Sequence, residues 1–360
     1  MSDSLERGEN VVLRLPDGTP DGIMHAIGAN SEWIRIETLD ASQGDVPIKQ
    51  LFDTYVHDPS ATRRRTPSEL VRQEPFQGLV IWLSGLNADS WAKWHEFLLG
   101  YQHAMRDMPE NERTVFVAPL TGRDALLASD DEVGIVEHVW GQSHDRHDAI
   151  FLAKVLLEKR KLSTLHRRVS IAMLAELALW DEELAERLAM DGLHVLTAPT
   201  PILDEIRRER GWSDTQFAEL DDRMLWATGR AAIVDGQAVH HLAAIPSDLR
   251  DREVSRRVWR AQVATCMPII EEIRYAAIAT YRRFLAPTMP HGRDRREALL
   301  DMEIGDIARQ LKVCGDVPVE HRRLFDRLHR ARNRLAHLQV VDWGDIPDEY
   351  PDQLRFGAGL

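Results

Sequence analysis

Arg332-Asn333-Arg334-Leu335-Ala336-His337 sets a guanidinium, an amide and an imidazole within six residues of one another. RNA cleavage without a metal ion needs these parts. A neutral imidazole can take the proton of a ribose 2′-hydroxyl, and a guanidinium can hold the phosphate as charge develops on it. The candidate catalytic residues are therefore His337 as general base, Arg332 as phosphate stabiliser, and Asn333 as a group that positions the phosphate or the imidazole. The plainer alternative places Arg332 on a solvated helix face and makes His337 a packing residue. A second string, His144-Asp145-Arg146-His147-Asp148, spaces two histidines to meet on one helical turn among carboxylates. No third ligand is identifiable there, and the string also reads as the polar start of a helix over Ile150 to Leu157. Neither a bound metal nor a cofactor is expected.

Three helical patterns must position the first string. They run over about residues 252–285, 293–313 and 319–340. The first carries Val254, Val258, Ala261, Ile269, Ile273 and Ala276 on one face, with Pro268 expected to kink it. The second carries Leu300, Ile304, Ile307 and Leu311, and the third Leu324, Leu328, Ala331, Leu335 and Leu338. Each is an apolar stripe at helical spacing, which predicts a small all-α bundle. At about 100° per residue, Asn333 and His337 share a face, whereas Arg332 and His337 stand about 140° apart. The long arginine stem covers part of that angle. Two copies of the third helix lining one groove would cover the rest. Arg322, Arg323, Arg327, Arg330, Arg332 and Arg334 give this helix a basic surface. It suits a polyanion held through its phosphates, or equally a solvated face paired to acidic neighbours.

The segment Leu324 to Val341 resembles the HEPN superfamily, whose signature is an arginine four to six residues before a histidine, often with asparagine after the arginine. Trp259, Gln262, Glu271, Arg274 and Met302-Glu303-Ile304-Gly305 also look like positions of that family. No catalytic role is carried to them. The resemblance implies an endoribonuclease that leaves a 2′,3′-cyclic phosphate. It also implies RNA as partner, a homodimer or a heterodimer with another HEPN protein, and a role in bacterial defence. The alternative it leaves open is a non-catalytic HEPN adaptor that dimerises and recruits partners.

The N-terminal half alternates strand and helix signals. Strand candidates are residues 11–15, 33–37, 78–83 and 114–118, and helix candidates begin near Ile23, Ile48 and Asp89 or Ser90. Residues 57–75 read as a loop, with the run Arg63-Arg64-Arg65. Continuous apolar runs such as Gly78 to Leu83 predict strands buried on both faces, hence an α/β domain with a mostly parallel sheet. The order suggests a P-loop module that has lost its chemistry. In the window Asp17 to Met24, Asp17 and Gly22 stand where the two glycines of the loop belong. Ile23 and Met24 replace its Lys and Ser/Thr, and Ser84 stands where a metal-holding aspartate belongs. Residues 10–210 thus resemble the inactive STAND-type domains of conflict systems, which implies scaffolding or sensing of other proteins of a defence operon and no nucleotide binding. An unrelated α/β sheet is the alternative.

Between these halves, residues 170–190 are strongly helical and break near Trp180-Asp181, with Asp181 able to cap the second helix. Asp235-Gly236 between apolar runs signals a hairpin. The tryptophans at 82, 91, 94, 140, 180 and 212 read as core anchors. The expected division is 1–165 for the α/β domain, 166–247 for a helical extension with hairpin and linker, 248–345 for the helical bundle, and 346–360 for a tail. The net charge of −13 over 360 residues argues against whole-surface binding of nucleic acid but leaves a local basic patch open. Cys266 and Cys314 lack metal-ligand spacing and read as small apolar residues of a reducing compartment. With no apolar run of membrane length and no secretory pattern near Met1, the expectation is a cytoplasmic protein.

Overall fold

The computed structural model describes residues 1–20, 22–29, 36–42, 46–56, 65–127, 134–140, 145–287 and 295–347. Trp33 to Arg35, Arg63, Arg64, His144 and most of the expected tail lie outside the described residues. The chain forms two compact units. One comprises Met1–Ser143 and Glu219–His240, the other His144–Ala218 and His241–Leu360. The α/β and helical regions are therefore as the patterns predict. The helices between residues 144 and 218 belong with the C-terminal bundle, and residues 219–240, with the hairpin, belong with the sheet.

The first unit runs α1 (Ser2–Glu6), β1 (Asn10–Leu15), α2 (Ile23–Ala29), β2 (Ile36–Asp40), α3 (Pro47–Tyr55), α4 (Pro67–Leu70), β3 (Val80–Ser84), α5 (Ala88–Met105), β4 (Val115–Thr121) and β5 (Ile135–Val139). All pairings in its five-stranded sheet are parallel, in the order β2-β3-β4-β1-β5. Successive residues of each strand point to opposite faces, and here both faces are covered. Val12, Ile81, Phe116 and Ala118 pack with Phe52, Trp94 and Tyr101 of α3 and α5. Their neighbours Val11, Leu13, Val80, Val115 and Val117 pack with Leu5 and Ile27 of α1 and α2. That two-sided burial is why the strands read as continuous apolar runs.

Local signals differ from expectation in four places. Among the described residues the second strand covers Ile36–Asp40 and so runs three residues past its expected end. The described part of the expected 57–75 loop contains α4, capped by Thr66, and buries Leu70 completely. Asn87 caps α5 in a reciprocal capping box with Ser90. Finally, β5 is an additional strand beside β1.

The second unit continues with α6 (Arg146–Leu157), α7 (Thr164–Ala178), α8 (Glu182–Met190), α9 (Thr200–Glu209) and α10 (Asp214–Glu219). The chain then returns to the first unit through α11 (Asp222–Ala227) and the antiparallel hairpin β6 (Ala231–Val234) and β7 (Gln237–His240). Asp235 and Gly236 both have positive φ, 50° and 75°, as a tight two-residue turn requires. The bundle closes with α12 (Ser247–Tyr281, with Pro268 inside it), α13 (Arg295–Leu300), α14 (Ile304–Lys312) and α15 (Val319–Ala336). Among the described residues no helix is long and apolar enough to cross a membrane.

Stripes on three of these helices build the core around the motif. Val254, Val258, Ala261 and Ile273 of α12 pack with Ile304, Ile307 and Leu311 of α14 and with Leu324, Phe325, Leu328, Ala331 and Leu335 of α15. Two expected stripe members fall outside it. The second helical pattern splits at residues 301–303, which leaves Leu300 exposed at the end of α13. Leu338 lies beyond the end of α15 and is 72% exposed.

Candidate functional site

The C-terminal end of α15 decides where the motif residues stand. The Leu338 N–H donates to the Leu335 carbonyl and the Gln339 N–H to the Arg334 carbonyl. Those two bonds close a Schellman turn, whose C′ residue adopts the left-handed conformation. Here that residue is Leu338, at φ 59°. Glycine is the ordinary occupant, because a Cβ at positive φ costs about 1 kcal/mol or more. The turn makes His337 the C-cap, exposed at the tip of the helix. Among the described residues, no hydrogen bond or ion pair holds its ring.

Both sides of this turn are anchored. On the near side, Trp259 of α12 donates its indole N–H to the Leu335 carbonyl at 2.8 Å. On the far side, the fully buried Gln262 exchanges two hydrogen bonds with the Val341 backbone, at 2.9 and 2.8 Å. Further along, Arg327 donates to the Gly344 and Ile346 carbonyls, and His166 of α7 stacks on Trp343 at 4.6 Å. Arg274, which is ion-paired to Glu271, donates to the Leu300 and Met302 carbonyls and so fixes the break before α14. Trp259, Gln262, Glu271 and Arg274 thus hold the frame of the motif helix.

Arg332 and Asn333 engage other partners. The Arg332 guanidinium lies 3.0 Å from the Glu303 carboxylate. Glu303 is the N-cap of α14 but makes no cap bond to its own helix. The Asn333 amide nitrogen lies 3.0 Å from Nε2 of His329, one turn earlier. The three motif residues therefore share one end of one helix, but within this chain no hydrogen bond or ion pair joins Arg332 to His337. The basic surface is largely internally compensated. Arg330 pairs with Asp326 and Asp345, Arg334 with Asp342, and Arg332 with Glu303, whereas Arg323 is exposed.

In the first unit, the loop from Pro16 to Gly22 lies at the carboxyl end of β1. A cavity of about 480 Å³ there is lined by Asp17, Ile23, Met24, Trp82 and Ser84 among others. β1 and β4 are neighbours whose connections leave in opposite directions, toward β2 and β5. Such a switch point is where open α/β sheets form ligand crevices. Asp17 seals the loop instead of opening it. Its N–H donates to the Ala227 carbonyl at 2.8 Å. A Cβ on Gly122 would come within 2.3 Å of its carboxylate, and one on Gly229 within 2.4 Å of its carbonyl oxygen. Burial pushes the Asp17 carboxyl up, against the pull of Arg123 and Arg230.

Two further constellations lie in the second unit. Asp145 caps α6 through the His147 and Asp148 N–H groups, and no group of three His, Cys, Asp or Glu side chains converges among the described residues. In the second unit, the buried His241 lies 2.9 Å from Asp181, which also binds Arg210 at 2.6 Å and caps α8 through the Leu184 N–H. The sequence marked Asp181 only as a cap, because its partners at 210 and 241 are remote along the chain. No protein-family model matches this chain, and no curated protein matches it either.

Proposed function

We propose that the protein is a metal-independent endoribonuclease of HEPN type, acting in the cytoplasm as a homodimer. The observation that carries this reading is the exposed, unpartnered His337, fixed between two anchors at the tip of α15. Strained left-handed residues recur at functional sites, and Leu338 is one such residue directly after His337. His337 would take the proton of a ribose 2′-hydroxyl. The 2′-oxygen then bonds to phosphorus, the P–O5′ bond breaks, and the 5′-oxygen leaves with a proton from water. The products are a 2′,3′-cyclic phosphate and a free 5′-hydroxyl. Arg332 would hold the phosphorane, and Asn333 would orient the phosphate or the imidazole. Because Arg332 and His337 diverge around the helix, the second copy's α15 supplies the missing half of the groove, and the exposed Leu338 gives that contact an apolar element. The first unit acts as a scaffold or sensor for partner proteins of a defence system.

A second reading has one observation in its favour. Arg332 is neutralised by Glu303 and its neighbours by other acids, as suits an adaptor that uses the bundle only to dimerise. A side-by-side comparison of wild type and His337→Ala separates the two. Melting temperature, light scattering and cleavage of total RNA in EDTA are measured together. The nuclease reading expects an intact dimer and a loss of about 10²- to 10⁴-fold in rate. An unchanged rate in a folded dimer rejects it, and a variant that dissociates favours the adaptor.

A further inference from the structure

His329 stands one turn before Asn333 on α15 and belongs to none of the motif positions. Its Nε2 accepts a hydrogen bond from the Asn333 amide nitrogen at 3.0 Å. A neutral imidazole that accepts through Nε2 carries its proton on Nδ1. That Nδ1 is buried and has no hydrogen-bond partner. Leaving a buried N–H unpaired is costly, so such a group calls for an explanation. The ring is held there by close packing against Gly305, in the first turn of α14. A Cβ at 305 would lie 2.4 Å from both Cε1 and Nδ1 of His329, so only glycine admits the imidazole. The same turn of α14 supplies Glu303, the partner of Arg332. One turn of a neighbouring helix therefore sets the side chains on both sides of the motif's amide.

We infer that His329 is a positioning residue of the proposed nuclease site, fixing the Asn333 amide so that its Oδ1 remains as the acceptor. This rests on the nuclease reading and goes beyond it by choosing between the two roles open to Asn333. One amide N–H is tied to His329 and sets the plane of the amide, so Asn333 serves the reaction through Oδ1, as an acceptor for the ribose 2′-hydroxyl or for the N–H of the His337 ring one turn on, with its second N–H left over.

The test uses the full chain with asparagine labelled by ¹⁵N. The Asn333 side-chain amide signal is identified by its loss in Asn333→Asp. His329→Leu keeps bulk and removes the acceptor, whereas His329→Gln restores a carbonyl acceptor. Gly305→Ala displaces the ring without altering α15, and it carries the test should His329→Leu fail to fold. In the expected result, His329→Leu and Gly305→Ala move the Asn333 signal and lower kcat by about 10- to 100-fold, the scale of a small misplacement. KM stays within about twofold, because phosphate binding is left intact, and His329→Gln recovers most of both signal and rate. If the signal does not move, or moves without a change in turnover, the inference is overturned while the nuclease reading stands. If wild type cleaves no RNA, the reading beneath it falls, and this inference falls with it.

Discussion

At the scale of single residues, the Arg332 guanidinium already has a carboxylate partner. Arg332 is about one-third exposed and Glu303 about two-thirds, so their ion pair faces water at 3.0 Å. Exposed pairs of this kind are worth about 0.2–1 kcal/mol. A phosphate oxygen arriving at Arg332 must displace that carboxylate. Glu303→Gln removes the competing charge and keeps the side-chain volume. It should tighten binding of a labelled single-stranded RNA by about 1.5- to 5-fold at low salt, which is the same energy read as affinity. The gain should shrink as salt is raised. Anisotropy titrations that show equal or weaker binding for Glu303→Gln would mean that Arg332 does not meet the RNA. The sequence names Arg332, Asn333 and His337 because they lie close together along the chain. It says nothing of Glu303 or His329 as their partners, since a contact between α14 and α15 has no local signature.

At the scale of elements, what could be read depended on whether the signal was local. β1, β3 and β4 are legible because burial on both faces makes them largely apolar, as in Val80 to Leu83. The hairpin and the Asp181 cap were legible because Asp-Gly and a capping aspartate state their geometry in a few residues. β5 is not, since among the described residues it pairs with β1 alone and carries Glu137 and His138 on half-exposed positions. The end of α15 was misplaced because Leu338 and Val340 continue the apolar rhythm, while the stop comes from a left-handed leucine that no propensity announces. The loop of the first unit borders a crevice with no lysine or arginine among its lining residues. It joins β1 to α2 beside a crevice, yet Asp17 ties it to Ala227, and Ile23 and Met24 face the cavity where a lysine and a hydroxyl would grip phosphates. Calorimetry of the full chain with Mg·ATP or Mg·GTP should therefore show no binding tighter than about 1 mM. A micromolar isotherm would contradict this account of the loop.

At the scale of the whole molecule, the chain combines two cores of different kinds, and the helical one buries a histidine–aspartate pair whose protonation the fold opposes. His241 is wholly buried, flanked by Trp180 and Trp212, with its Nδ1 accepting from the Ala243 N–H. Burial drives its imidazole below the ordinary histidine value, and Asp181 only partly opposes that. For Asp181, burial alone would raise the carboxyl, but His241 and Arg210 outweigh it and hold it well below the ordinary carboxylate range. Both folded values are depressed, so both groups act in the same direction. As pH falls below about 6.5, the unfolded chain takes up a proton on His241 that the folded site refuses, and stability declines. A second decline begins near pH 4, where the unfolded chain protonates Asp181 before the folded one does. One such proton contributes a slope of at most about 1.4 kcal/mol per pH unit. His241→Gln removes the first titration while keeping a group that can donate to Asp181. Urea melts at intervals from pH 7.5 to 5 should find the variant less stable at neutral pH and with a shallower loss toward acid than wild type. Parallel curves for the two proteins would show that His241 is not held neutral in the fold, and the acid sensitivity would then have to come from other histidines.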